Sequence, residues 1–403
     1  MGIWRRHIDL HRHFDGMQAF YLNASLRSLA VSLISIFTPV FIYSEGLLLW
    51  GSSRYALAGV ALFYLVFRLT ALLSALPLSR VIEKIGFRRS VVVSMVFMIL
   101  YLISLMFAPI YVWLLLLAPI FFGLSVPLYW VSRDSAICQD GNKANLGRQM
   151  SILIAGEQVA GLAGPFVAGV IITSLGYQFL YGVALSILMV SIVPLFSLPH
   201  HVHKNGASLR GFYLWLTNTR YFHQAVGVVG KTVDDYGLAI VWPLAIYLLG
   251  IKIGVIGGIF SLVAILAVLV RIIVGKLFDK LRTRGDFSDE ILHSIAVIAT
   301  SLIWMVRLFV SSVGGILGVD AAGSVFGTTY TNFYINYLHL GGMRMGNIAY
   351  WVYVEMTYSL TAVILMGVLV IAALFGIWRE IIFLSAGLWV LVSVIQARES
   401  NLK

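Results

Sequence analysis

The chain has 403 residues, 60% of them hydrophobic and 11% charged, with a mean hydropathy of +0.94. A water-facing surface needs about a quarter of its residues charged, so this composition excludes a string of soluble domains. The net charge of +11 would suggest nucleic acid in a soluble chain, and the single cysteine, Cys138, excludes an intrachain disulfide and any multi-cysteine metal site.

Residues 1–15 hold no apolar run of signal-peptide length and read as an interfacial or frayed segment. About 20 apolar residues cross the hydrocarbon core as a helix. Such runs fall at 18–43, 54–76, 90–108, 111–132, 148–173 and 177–198, and again at 222–249, 254–274, 290–311, 313–338, 347–375 and 378–397. The expected fold is an all-α membrane protein of twelve transmembrane helices. It divides into a six-helix half at 1–199, a central loop at 200–220 and a second six-helix half at 221–403.

An even number of spans puts both termini on one side. That side collects twenty of the Lys and Arg residues, among them Arg5, Arg6, Arg88, Arg89 and Arg210. The opposite loops hold only Arg54, Lys252 and Arg379. The positive-inside rule therefore predicts cytoplasmic termini in a cytoplasmic membrane, and it accounts for nearly all of the net charge without nucleic acid.

The two halves repeat. FTPVFIYSEG at 37–46 aligns with VWPLAIYLLG at 241–250, matching Pro39 to Pro243, Tyr43 to Tyr247 and Gly46 to Gly250 at an offset of 204. SRVIEKIGFRR at 79–89 aligns with GKLFDKLRTRG at 275–285. On these motifs the chain resembles the major facilitator superfamily of secondary transporters. Glu83, Lys84, Gly86, Arg88 and Arg89 follow that superfamily's signature after helix 2, with Ser79 in place of its leading Gly. Asp279 and Lys280 keep it in the second copy, where Arg282 replaces Gly. GPFVAG at 164–169 partly resembles the signature of the superfamily's antiporters, whereas the Arg usual in helix 4 of proton-coupled drug exporters is absent from LLLLAPIFFG.

The resemblance implies a cytoplasmic gate of Glu83, Lys84, Arg88, Arg133, Asp279, Lys280 and Arg284, with Arg133 a partner for Glu83. A carboxylate near a helix N-terminus gains roughly 0.3–1 kcal/mol; the alternative is that these charges only anchor loops. It also implies a pathway lined by helices 1, 2, 4, 5, 7, 8, 10 and 11.

An ionisable group inside a span costs roughly 2.5–3.5 kcal/mol and needs a partner or a wet cavity. The spans contain five bases, Arg27, Arg68, Lys231, Arg271 and Arg307, and five acids, Glu157, Asp234, Asp235, Asp320 and Glu355. Arg27 and Lys231 are repeat mates, each twelve residues before its proline. By the resemblance, they would clamp a small organic anion between the halves. The competing reading pairs Lys231 with Asp234 or Asp235 at i+3 and i+4, and Arg27 with Glu157. The five acids are the candidates for proton coupling. On helix 10, Tyr330, Asn332 and Asn336 lie in TTYTNFYINY, suited either to a polar substrate or to interhelical hydrogen bonds.

No phosphate-binding loop, no catalytic constellation and no metal site is expected, His7 and His11 being better read as interfacial. The expectation is a monomeric secondary transporter, not an enzyme. It moves a small organic anion by proton antiport or symport, with export favoured by GPFVAG, and it needs no cofactor beyond an ion gradient and no partner beyond solute and lipid. The alternatives are an exporter of neutral or cationic amphiphiles and a transporter-shaped sensor without flux.

Overall fold

The computed structural model describes residues 20–140, 156–197, 206–284, 289–345 and 348–395, with backbone alone at 270–284 and at a few helix ends. The described residues contain no strand. They form twelve spans: α1 (Phe20–Trp50), α2 (53–85), α3 (87–107), α4 (Leu114–Asp140), α5 (Gly156–Leu175), α6 (Tyr177–Leu195), α7 (219–248), α8 (Ile253–Arg284), α9 (Asp289–Arg307), α10 (Val313–Met345), α11 (Ile348–Phe375) and α12 (Trp378–Ile395). Seven helical segments, counting 53–107 as one, are long and apolar enough to cross a membrane by length and composition. α7 differs because Lys231, Asp234 and Asp235 interrupt it at mid-span.

The repeat seen in the sequence has backbone consequences. Proline lacks an N–H and cannot complete the helical ladder. Before Pro39, α1 loosens into a turn at 35–37, where the Phe37 amide bonds to the Ile34 carbonyl three residues back. Before Pro243, α7 widens into a π turn at Gly237–Val241, with the Trp242 amide on the Gly237 carbonyl five residues back. The glycine turns after α1 and α7 (Gly51 and Gly250), and after α5 and α11 (Gly176 and Gly376), fall at corresponding ends of helices in the two halves, all at positive φ. The Tyr43 and Tyr247 rings pack edge to face, 6.1 Å between centroids. Repeat mates that touch each other lie on the pseudo-two-fold axis relating the halves.

Close crossings use small residues, as expected where lipid removes the hydrophobic incentive to associate. A Cβ on Gly123 of α4 would strike Thr70 of α2, 2.6 Å from its Cβ. Beside this crossing, Phe67, Phe122 and Tyr101 stack at 4.2 and 4.6 Å and tie α2, α4 and α3 together. The GPFVAG run is another such seam. Gly164 rests on Ser32 of α1, Gly169 lies against Gly254 and Gly257 of α8, and the Phe166 amide donates to Ser261 Oγ at 2.9 Å.

Three expectations are corrected. The 79–89 signature is not a loop: α2 continues through Glu83 and Lys84, and one left-handed residue, Gly86 (φ 78°), turns the chain into α3. α2 runs on past Pro77 and its charged residues to Gly86, so charge does not mark where the helix ends. α4 likewise runs on to Asp140, which places Arg133 within a helix and buried, 5% exposed. The central loop contains a connecting helix, Leu209–Thr217, capped by Ser208 and seated on α11 through the buried Trp215, whose indole N–H donates to Thr357 Oγ1 at 3.0 Å.

Candidate functional site

The intramembrane charges resolve into three groups, with the Arg271 side chain outside the described ones. The first joins the halves. Arg68 of α2 reaches into the C-terminal half, where its Nη1 meets Glu355 Oε1 of α11 at 2.9 Å and its Nε donates to the Tyr236 hydroxyl of α7. The same guanidinium lies 4.6 Å from the centre of the Tyr358 ring. Tyr358 donates to Asp235 Oδ2 at 3.0 Å, and Lys231 Nζ holds Asp235 at 2.6 Å and Asp234 at 3.0 Å. Asp234 also accepts the Trp304 indole N–H at 2.9 Å. A continuous polar chain therefore runs from α2 through α11 and α7 to α9.

Local sequence builds this chain. Lys231, Asp234 and Asp235 share one face of α7 at i, i+3 and i+4. The π turn follows directly at Gly237, whose missing side chain admits the Trp304 ring; a Cβ there would lie 2.6 Å from Cζ2. Most of the group is buried, whereas the Asp235 side chain is 38% exposed. Asp235 is thus the carboxylate of this group most open to solvent.

The second group lies within the N-terminal half. Arg133 Nη2 pairs with Glu157 Oε2 at 3.2 Å, so its partner is Glu157 of α5 and not Glu83. Arg27 stacks over the Tyr129 ring at 3.7 Å and forms no ion pair among the described residues. The expected pairing of Arg27 with Glu157 is absent because Arg133 occupies that carboxylate. The expected clamp of Arg27 against Lys231 is absent as well, since each cation is engaged within its own half. The engagements match: Lys231 Nζ stands 5.7 Å over Tyr330, as Arg27 stands over Tyr129. The two tyrosines occupy corresponding places on α10 and α4.

The third group is structural. Arg307 Nη2 meets Asp320 Oδ1 at 2.9 Å, and the Trp242 indole N–H donates to both Asp320 oxygens at 2.9 and 3.0 Å. This pair is buried inside the C-terminal half, so Asp320 has the surroundings of a fixed partner.

On α10, Tyr330 is fully buried and its hydroxyl meets Ser393 Oγ of α12 at 2.8 Å, which removes it from contact with a solute. Asn332 is half-buried and Asn336 exposed, on the side of α10 opposite Tyr330 and Tyr334; neither forms a hydrogen bond among the described residues. Glu83 is half-buried and in no ion pair among the described residues, Lys84 is exposed, and Arg88 is half-buried. The side chains of Asp279, Lys280 and Arg284 lie outside the described ones, as do His7 and His11.

The halves meet at both ends of the bundle. On the face of the glycine turns, contact runs through Tyr43 against Tyr247 and through α5 against α8. On the basic face, α4 meets α10 and α11, with Cys138 against Trp351. Reasoning from sequence undervalued Arg68, Tyr236, Tyr358 and Trp304. The available signal was Arg68 itself, a full charge in mid-span with no acid within reach on its own helix.

The profile of the Major Facilitator Superfamily matches residues 20–354. The crystal structure of the E. coli fucose:proton symporter superposes with a TM-score of 0.62 at 11% identity, covering 95% of this chain and 97% of that one. No curated protein matches the sequence.

Proposed function

The chain belongs to the Major Facilitator Superfamily and is a multi-pass membrane protein of the secondary-transporter class, and from that premise we propose that it moves a small organic solute by proton-coupled alternating access. The solute binds between the halves near mid-span, in a cytoplasmic membrane with the basic face inward. One observation carries the coupling: Arg68 of one half is held by Glu355 and Tyr236 of the other, in a chain that ends at the solvent-facing Asp235.

In this reading a proton arriving at Asp235 loosens its bonds to Lys231 and Tyr358. Tyr358 lies on the Arg68 guanidinium, so the change reaches the contact between halves. Glu355 answers in the same way, since a protonated carboxyl holds an arginine far less firmly than a carboxylate does. A carboxylate whose charge changes can thereby bias two arrangements of the halves. Asp320, already bonded to Arg307 and Trp242, takes no part.

A cationic or neutral amphiphile is the second reading for the solute, favoured by the exposed Asp235 carboxylate beside the Tyr236 and Tyr358 rings. The glycines of GPFVAG pack α5 against α1 and α8, and direction has to be read from flux. Proteoliposomes loaded with anionic or cationic solutes, with and without a pH gradient, test both points. Gradient-driven accumulation that disappears in Asp235→Asn and Glu355→Gln is expected. Flux that ignores the gradient for every solute would overturn the proton coupling.

A further inference from the structure

We propose that Arg27 and Arg133, flanking the Trp130 indole, form an anion subsite that takes the carboxylate of a small organic acid; the proposal rests on the reading of the chain as a transporter loaded between its halves. The observation behind it is an asymmetry between repeat mates. Lys231 over Tyr330 is neutralised by Asp234 and Asp235 on its own helix. Arg27 over Tyr129 occupies the corresponding place, but the positions that match the two acids are Ala30 and Val31. Among the described residues no acid on its own helix pairs with Arg27, and Glu157 of the same half is bonded to Arg133.

The Arg27 side chain shows the asymmetry at atomic level. Arg27 is 7% exposed, has no ion pair among the described residues, and its Nε is buried without a hydrogen-bond partner. An isolated charge so placed is costly unless something pairs with it. Arg133 lies on α4 one turn beyond Tyr129; its Nε makes no hydrogen bond and stands 3.9 Å from Asp134 Oδ1, while its Nη2 is held by Glu157. Both guanidiniums stand over the same ring, Arg27 at 5.5 Å and Arg133 at 4.7 Å from the Trp130 centroid. Trp130 is only half-buried, and a fifth of the Glu157 side chain is exposed, so the cluster is not sealed inside the protein.

The chemistry selects the occupant. Planar guanidiniums that still offer N–H groups match a carboxylate. The aromatic ring beside both of them suits the hydrocarbon part of an organic acid better than a hydrated inorganic ion. Glu157 and Asp134 neighbour Arg133 and repel polyanions, which favours a single negative charge.

The test is equilibrium binding of benzoate, and of its neutral isostere benzamide, to the full-length protein in detergent. The proposal expects benzoate to bind and benzamide not to. It expects Arg27→Gln to weaken benzoate roughly 10- to 100-fold, as for loss of a charge-assisted hydrogen bond, and Arg27→Lys to lose less. Val31→Asp restores the acid that Asp235 provides in the other half and is expected to block benzoate as strongly as Arg27→Gln. Equal binding of benzoate and benzamide, no binding of benzoate, or unchanged affinity in Arg27→Gln would each overturn the subsite. Binding needs no proton gradient, so a protein that binds benzoate without gradient-driven flux refutes the coupling reading alone. One that transports cations yet binds no carboxylate refutes this subsite alone.

Discussion

Gly257 of α8 sits where α5 of the other half presses closest. A Cβ added there would lie 3.2 Å from the Pro165 carbonyl carbon and 3.3 Å from Gly169 Cα, and closer still to the Pro165 oxygen. Carbon atoms pack comfortably at about 3.5–4.0 Å, so Gly257→Ala forces two backbones apart by roughly half an ångström or more. Backbone cannot rotate aside as a side chain does, and overpacking of this kind costs about 1–3 kcal/mol. The cost falls on closure of the glycine-turn face, because the seam lies in the half of α5 and α8 nearest that face. In an alternating-access protein, opening one face favours closure of the other, and 1–3 kcal/mol shifts that balance about 5- to 150-fold. Cys138, the only cysteine, reports on the basic face, where it is buried against Trp351. Gly257→Ala is therefore expected to slow alkylation of Cys138 by a membrane-permeant maleimide within that range. Unchanged or faster alkylation, in a variant that still elutes as a folded monodisperse species, would refute the assignment of this seam to one gate.

Arg68→Gln leaves Glu355 buried without its cation, and removal of one member of a buried pair costs about 3–5 kcal/mol. A large fall in melting temperature is expected, with much of it recovered when Glu355→Gln is added; additive losses would show that the two residues are not coupled. Trp304→Phe removes the N–H that satisfies Asp234 while keeping the ring against Gly237, and a loss of about 1–3 kcal/mol on thermal unfolding is expected. Gly211→Ala places a Cβ 2.8 Å from Tyr353 Cζ and should lift the connecting helix from α11, measured as faster tryptic cleavage after the exposed Arg210.

Those expectations depend on which parts of the molecule were legible before any coordinates. The spans and the repeat were legible because each is a local property of the chain. So was the bond from Lys231 to Asp234 and Asp235, which α-helical spacing alone permits. The partner of Arg68 was not, since Glu355 lies 287 residues away and only tertiary packing brings them together. Arg133 was misplaced for a different reason: hydropathy treats a charge at the edge of an apolar run as loop, although α4 carries that charge inward to Glu157. The pairing of the two cations was not legible either, because a symmetric pair was expected to face a shared centre. The symmetry is real, yet it turns each cation toward a tyrosine of its own half.

The contact of Tyr43 with Tyr247 bears on how such a chain arises. A residue on a two-fold axis meets its own copy, so the pair describes what a free six-helix unit would present to a second identical unit: one tyrosine edge against one tyrosine face. Joining two such units end to end changes the constraint. Each position then drifts on its own, and one copy can acquire Asp234 and Asp235 while the other keeps Ala30 and Val31. Fusion turns a self-complementary dimer into a molecule with two different sides, one whose cation carries two acids on its own helix and one whose cation carries none there.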